Sequence, residues 1–165
     1  MRIGVTGHQR LEDPRAWSCV ARAIRNQLTR LTPPLVAVTS LAIGADQLLA
    51  RLVIEAGGTI YAVLPYAGIE RSFSPEDVGG FRELLSQATV EVLNTPGDDE
   101  DAYLAAGYRV VELSDLVIAV WNGEPAKGKG GTADVVAYAE RRGVAIIRID
   151  PNEYAIHERP NEEHN

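Results

Sequence analysis

Short runs of aliphatic and β-branched residues alternate along this chain with longer stretches of helical period, the signature of βαβ units built around a parallel sheet. Six strands are predicted, over residues 2–6, 35–39, 59–64, 89–93, 116–120 and 144–149. Most are continuous apolar stretches, as strands become when helices cover both faces. Between the first two, Val20, Ile24, Leu28 and Leu31 recur at helical spacing, and Pro33-Pro34 stops the pattern. Further helices are predicted over residues 45–56, 75–88, 99–113 and 132–142. The one over 75–88 contains Gly79 and Gly80, each of which weakens a helix by about 1 kcal/mol relative to alanine. The pattern predicts an α/β fold: a single domain with a mainly parallel six-stranded sheet and helices on both faces.

A chain of 165 residues can bury one such core and is too short for two. The domain is assigned to residues 1–150. Residues 151–165 mix Asn, Glu and His with few apolar residues and read as a loosely ordered acidic tail. No stretch is long and apolar enough to span a bilayer or to form a signal-peptide core, so a cytoplasmic location without a membrane partner is expected. The net charge of −7 opposes binding to DNA or RNA, because a polyanion needs clustered Lys and Arg to release its counterions. Cys19 is the only cysteine, which excludes a disulfide within the chain and a cysteine-rich zinc site.

In a doubly wound sheet, ligands collect beyond the carboxyl ends of the strands, where helix N-termini aim their free N–H groups. The distinctive residues of this sequence fall at those ends. Gly7, His8 and Arg10 follow the first strand, Thr39 and Ser40 end the second, and Gly44 and Asp46 open the next helix. Tyr66 follows the third strand and Trp121 the fifth, placed either to stack on a base or to pack at the sheet edge. Lys129, Gly130, Gly131 and Thr132 directly precede the last helix. Adjacent glycines let backbone amides close on an anion and the helix adds its positive end, so phosphate is the guest this segment suits. It is neither a Walker A loop nor a GxGxxG fingerprint. Asp46 suits either a ribose hydroxyl or the dipole of its own helix.

Together, Thr6-Gly7-His8, the segment Thr39-Ser40-Leu41-Ala42-Ile43-Gly44-Ala45-Asp46 and Gly130-Gly131-Thr132 resemble the SLOG superfamily, named for the Smf/DprA DNA-processing proteins and the LOG hydrolases. The resemblance covers the chain to about residue 149. It implies a Rossmann-like fold and a nucleotide or nucleotide-derived ligand at the glycine-rich edge. The hydrolytic branch carries Pro-Gly-Gly-x-Gly-Thr-x-x-Glu and an arginine in the preceding helix. Here those two positions hold Val135 and Ala106, with Asp134 and Arg109 as the nearest groups that would replace the missing pair. The resemblance thus points to a non-catalytic or uncharacterised branch.

The leading expectation is a module that binds a phosphorylated nucleotide-like small molecule through Gly130, Gly131 and Thr132, with Thr39, Ser40 and Asp46 near the sugar. The alternative is a hydrolase or transferase acting at the N-glycosidic bond of a nucleotide, with Asp134 and Arg109 as its catalytic pair. No metal-ligand spacing is present, so Mg²⁺ is expected only as a companion of a phosphate. Exposed helices leave room for a homo-oligomer.

Overall fold

A computed structural model describes residues 1–95, 99–125 and 131–160. The elements run β1 (Arg2–Gly7), α1 (Ala16–Leu28), β2 (Val36–Thr39), α2 (Ala45–Glu55), β3 (Thr59–Leu64), a 3₁₀ turn (Ile69–Ser72), α3 (Val78–Leu85), β4 (Ala88–Val92), α4 (Asp99–Glu112), β5 (Leu116–Val120), α5 (Thr132–Arg141), β6 (Ala145–Ile149) and β7 (Ile156–Arg159). The seven strands form one sheet in the order β4-β3-β2-β1-β5-β6-β7. All neighbouring pairs are parallel except β6 and β7.

The alternation of side chains along each strand feeds two helical layers. On one face Ile3, Val5, Leu116, Ile118 and Val120 pack with Val20, Ile24, Leu49 and Val53 of α1 and α2. On the other, Val117, Ala119 and Ile146 pack with Val111 of α4 and with Val135, Val136 and Ala139 of α5. Every residue of β5 is buried, which is why that strand reads as an unbroken apolar run. Next to the edge strand β4, β3 carries Ile60, Ala62 and Leu64 against Phe81 and Leu84 of α3. That helix is shorter than the predicted 75–88. It tolerates Gly80 because a Cβ there would come within 2.9 Å of Arg51 Nη2 and 3.0 Å of Gln47 Oε1 on α2.

Among the described residues the sheet has seven strands where six were expected, and the seventh lies past residue 150. Asp150 is 3% exposed and accepts the amides of Asn152 and Glu153 at 2.9 and 3.1 Å, while Arg148 reaches its other oxygen at 3.1 Å. This turn reverses the chain, and Ile156–Arg159 returns antiparallel to β6, with Ile146 opposite Arg159 and Ile149 opposite Ile156. All four β7 residues are exposed, so no apolar pattern announces the strand. Backbone pairing and the ion pairs Arg30–Glu158 (2.7 Å) and Arg159–Glu140 (2.6 Å) hold it instead. Residues 161–165 lie outside the described residues.

Candidate functional site

The chain leaves β1 toward β2 on one side, while β5 docks on the other, so the loops after β1 and β5 part at their carboxyl ends. A crevice opens at such a reversal of strand order. Here it is a cleft of about 750 Å³. Among the described residues its walls come from Gly7, His8 and Gln9 after β1, Ser40 and Asp46 around the start of α2, Trp121 and Asn122 after β5, Gly131–Ala133 at the start of α5, and Glu100, Tyr103 and Gly107 on α4.

Two glycines allow the close packing beneath the cleft. A Cβ on Gly7 would stand 2.7 Å from Ala45 Cβ and 2.8 Å from the Val120 carbonyl oxygen, so only glycine lets β1 end between β5 and α2. Gly44 has φ +83° and its added Cβ would overlap the carbonyl oxygens of His8 and Gln9. Gly44 therefore seats α2 against the β1–α1 connection and does not itself line the cleft. The amide of Ala45 then donates to His8 O at 3.1 Å, and those of Gln47 and Leu48 to Ala42 O and Gly44 O.

The start of α5 differs. Gly131 O accepts from the amides of Asp134 and Val135 at 3.1 and 3.3 Å. Gly131, Thr132 and Ala133 line the cleft, and their amides have no acceptor among the described residues. Such first-turn N–H groups carry the positive end of the helix dipole. Lys129 and Gly130, assigned to the same phosphate loop from the sequence, lie outside the described residues.

Asp46, in the first turn of α2, is 8% exposed and borders the cleft. One of its oxygens accepts from Thr39 Oγ1 at 2.8 Å and from the Ser40 amide at 3.1 Å, and the Ala42 amide also donates to the carboxylate. Burial raises its pKa to about 6, while the three donors pull the other way and lose. Thr39 itself is fully buried behind Asp46, with its Oγ1 accepting from the Leu41 amide at 2.9 Å, and does not line the cleft.

The remaining sequence candidates scatter. Arg10 turns outward, its side chain 74% exposed, and pairs with Asp77 at 3.0 Å near the start of α3. Tyr66 sits one layer back: its hydroxyl shares a 3.3 Å hydrogen bond with that of Tyr103, which is the tyrosine on the cleft wall. Arg109 is held by Glu91 at 3.0 Å and Glu112 at 3.5 Å and is not part of the wall. Asp134 stands in the first turn of α5 without lining the cleft. Val135 does line it, 3% exposed and packed on Gly107, and Ala106 is buried against the sheet. Trp121 is pinned by its indole N–H to Glu124 O at 2.8 Å and by Arg148, whose guanidinium lies 5.4 Å from a ring centroid of the tryptophan. The sequence reading missed Tyr103, Asn122 and Glu100. Their only signal is position: one turn into α4 or just past β5, both of which topology brings to the switch point.

No family model matches the sequence, and no curated protein sequence matches it. Solved structures do match. DNA processing protein A (DprA) from Streptococcus pneumoniae aligns over 90% of this chain and 50% of its own, with a TM-score of 0.66 and 19% identity. DprA from Helicobacter pylori, described for its single-stranded DNA binding mode, aligns over 91% and 65%, with a TM-score of 0.63 and 14% identity. The molybdenum cofactor carrier protein of Chlamydomonas reinhardtii aligns over 89% and 74%, with a TM-score of 0.50 and 18% identity. The chain thus spans half to about two-thirds of the DprA chains it matches. Its seven-stranded, mostly parallel sheet and five helices among the described residues share the Rossmann-like α/β fold of these structures.

Proposed function

We propose that this protein binds a phosphorylated nucleotide or nucleotide-derived small molecule in the cleft between the ends of β1 and β5. The observation that carries the reading is the run of three amides at Gly131, Thr132 and Ala133, without acceptors among the described residues, on the wall of a cavity of about 750 Å³. A phosphate there gains charge-assisted hydrogen bonds and the helix dipole together. The ligand then extends toward Asp46 and Ser40, whose acceptor oxygens suit the hydroxyls of a sugar, while Tyr103 and Trp121 offer flat surfaces to a base. The fold shared with a carrier of the molybdenum cofactor supports a small-molecule guest by analogy. Thermal unfolding with a panel of nucleoside mono-, di- and triphosphates tests the reading. Ligand at a hundred times its dissociation constant adds about 2.7 kcal/mol of stability. A panel that leaves the melting temperature in place sinks it, and a shift produced only by single-stranded oligonucleotide moves the reading to nucleic acid.

One observation favours a second reading, hydrolysis or transfer at a nucleotide's N-glycosidic bond. Asp46 is a cleft carboxyl with a pKa raised to about 6, in the range where a group both gives and takes a proton at neutral pH. Incubation with nucleoside monophosphates and detection of free base decides it. Release abolished by Asp46→Asn but retained by Asp134→Asn assigns the chemistry to Asp46, and the reverse pattern assigns it to Asp134. No release leaves a binding module.

A further inference from the structure

We propose that Thr39 is a positioning residue of the cleft: from behind the wall its hydroxyl grips one oxygen of Asp46, so that the carboxyl keeps a fixed orientation toward the ligand and a controlled readiness to accept its hydrogen bonds. This inference rests on the reading of the cleft as a nucleotide site. The geometry is a relay. The Leu41 amide donates to Thr39 Oγ1 at 2.9 Å, which fixes the hydroxyl so that its single proton is directed to Asp46 at 2.8 Å. The Ser40 amide meets the same Asp46 oxygen at 3.1 Å. Two donors on one oxygen orient the carboxyl, and both come from residues that the end of β2 places beside the first turn of α2. Thr39 is 0% exposed, so its hydroxyl acts on a ligand only through Asp46.

A carboxyl held this way accepts ligand hydroxyls best when ionised, and a hydrogen bond from Thr39 favours the ionised form against the cost of burial. Among the described residues, the other charged and titratable groups that line the same cleft are His8 after β1, Glu100 and Tyr103 on α4, and Glu124 after β5. Arg51, a turn further along α2, lies against α3 instead. The described wall residues include no lysine or arginine, and the donors that meet the carboxylate are Thr39 and the Ser40 and Ala42 amides.

The test follows the carboxyl carbon of Asp46 by NMR in the ligand-free protein from about pH 4 to pH 8, in the wild type, in Thr39→Val and in Thr39→Ser. The expected wild-type midpoint is near 6, raised by about half a unit or more in Thr39→Val and restored in Thr39→Ser. A second arm measures the affinity for adenosine monophosphate over the same range. Binding should weaken by about tenfold per pH unit below the midpoint, with the onset moving upward in Thr39→Val. An unchanged midpoint in Thr39→Val, or a wild-type midpoint in the ordinary carboxylate range, overturns the proposal. Should Thr39→Val not fold, the wild type decides: the Leu41 amide, which touches Asp46 only through Thr39, must titrate with the midpoint of Asp46, and a flat Leu41 shift overturns the proposal. If the nucleotide does not bind at any pH, the reading of the cleft fails while the ligand-free titration still judges Thr39.

Discussion

Helices α2 and α5 both begin at the cleft, and they begin in opposite states. The first turn of α2 is closed by its own chain: Ala45 donates to His8, Gln47 to Ala42 and Leu48 to Gly44, and the Asp46 carboxyl takes up the Ser40 and Ala42 amides. The first turn of α5 leaves the amides of Gly131, Thr132 and Ala133 without an acceptor among the described residues. Both starts carry glycine and a first-turn aspartate, so composition does not separate them. What separates them is where the preceding strand ends. Gly44 is pressed against the carbonyls that follow β1, which lets the Ala45 amide reach His8 O, whereas α5 starts at a glycine with no such contact among the described residues. One terminus is tied into the fold, and the other is where the proposed phosphate would sit.

That contrast breaks first at Gly44. A left-handed φ of +83° costs a side chain about 1–2 kcal/mol, and the overlap of a Cβ with two backbone oxygens adds to it. Gly44→Ala should lose about 3 kcal/mol or more in urea unfolding. A loss below about 1 kcal/mol would mean that α2 is not seated as described.

Asp46→Asn comes next, and its effect on stability has the opposite sign. The folded pKa of about 6 lies above the unfolded value of 3.8, so between those two values the native state holds a proton that the unfolded chain has released. Stability from this group is complete below about pH 4, falls as pH rises through 6, and is flat above it. The penalty at pH 8 is up to about 3 kcal/mol. The neutral amide escapes it, so Asp46→Asn should unfold at a higher temperature than the wild type at pH 8 and at a similar one near pH 4, while losing affinity for ligand. A variant less stable than the wild type at pH 8 contradicts the buried carboxylate.

The third effect isolates the amides of α5. Gly131 has φ −70° and ψ 168°, the extended conformation that a following proline requires, and Thr132 is the first helical residue, where proline is favoured. Thr132→Pro should therefore change stability by less than about 0.5 kcal/mol and still weaken phosphate-containing ligands about tenfold, the worth of one charge-assisted hydrogen bond. Equal affinity in isothermal titration would remove the α5 terminus from the site.

How much of this was legible depends on what each residue answers to. The strands that face both helical layers were readable because burial on two sides leaves only apolar residues, as in β5. β7 was not, since an exposed edge strand held by backbone pairing and a buried turn aspartate has no hydropathic signature. The sequence assigned Gly7, His8, Ser40, Asp46, Gly131 and Thr132 to strand ends and helix starts, and the topology brings them to one cleft. It did not separate residues that face the cavity from those one layer behind. Thr39 and Ser40 are neighbours of like chemistry, but Thr39, the last residue of β2, is buried and Ser40, just past the strand, lines the cleft. Tyr66 likewise points to the site only through Tyr103, a residue 37 positions away that no local pattern connects to it.

Arg10 makes the smallest difference and the sharpest control. From the sequence it is a cation just past the first strand, close enough to be assigned to the phosphate. In the fold the chain has already turned away by then: its guanidinium meets Asp77, which also accepts from Ser74 Oγ at 2.7 Å, outside the cleft. An exposed pair of this kind is worth about 0.2–1 kcal/mol. Arg10→Ala should therefore cost no more than that in unfolding and leave nucleotide affinity unchanged at low and at high salt. A loss of affinity that grows as salt is lowered would place Arg10 within electrostatic reach of the bound phosphate, and the anion would then sit nearer the β1 side of the crevice than the open amides of α5 imply.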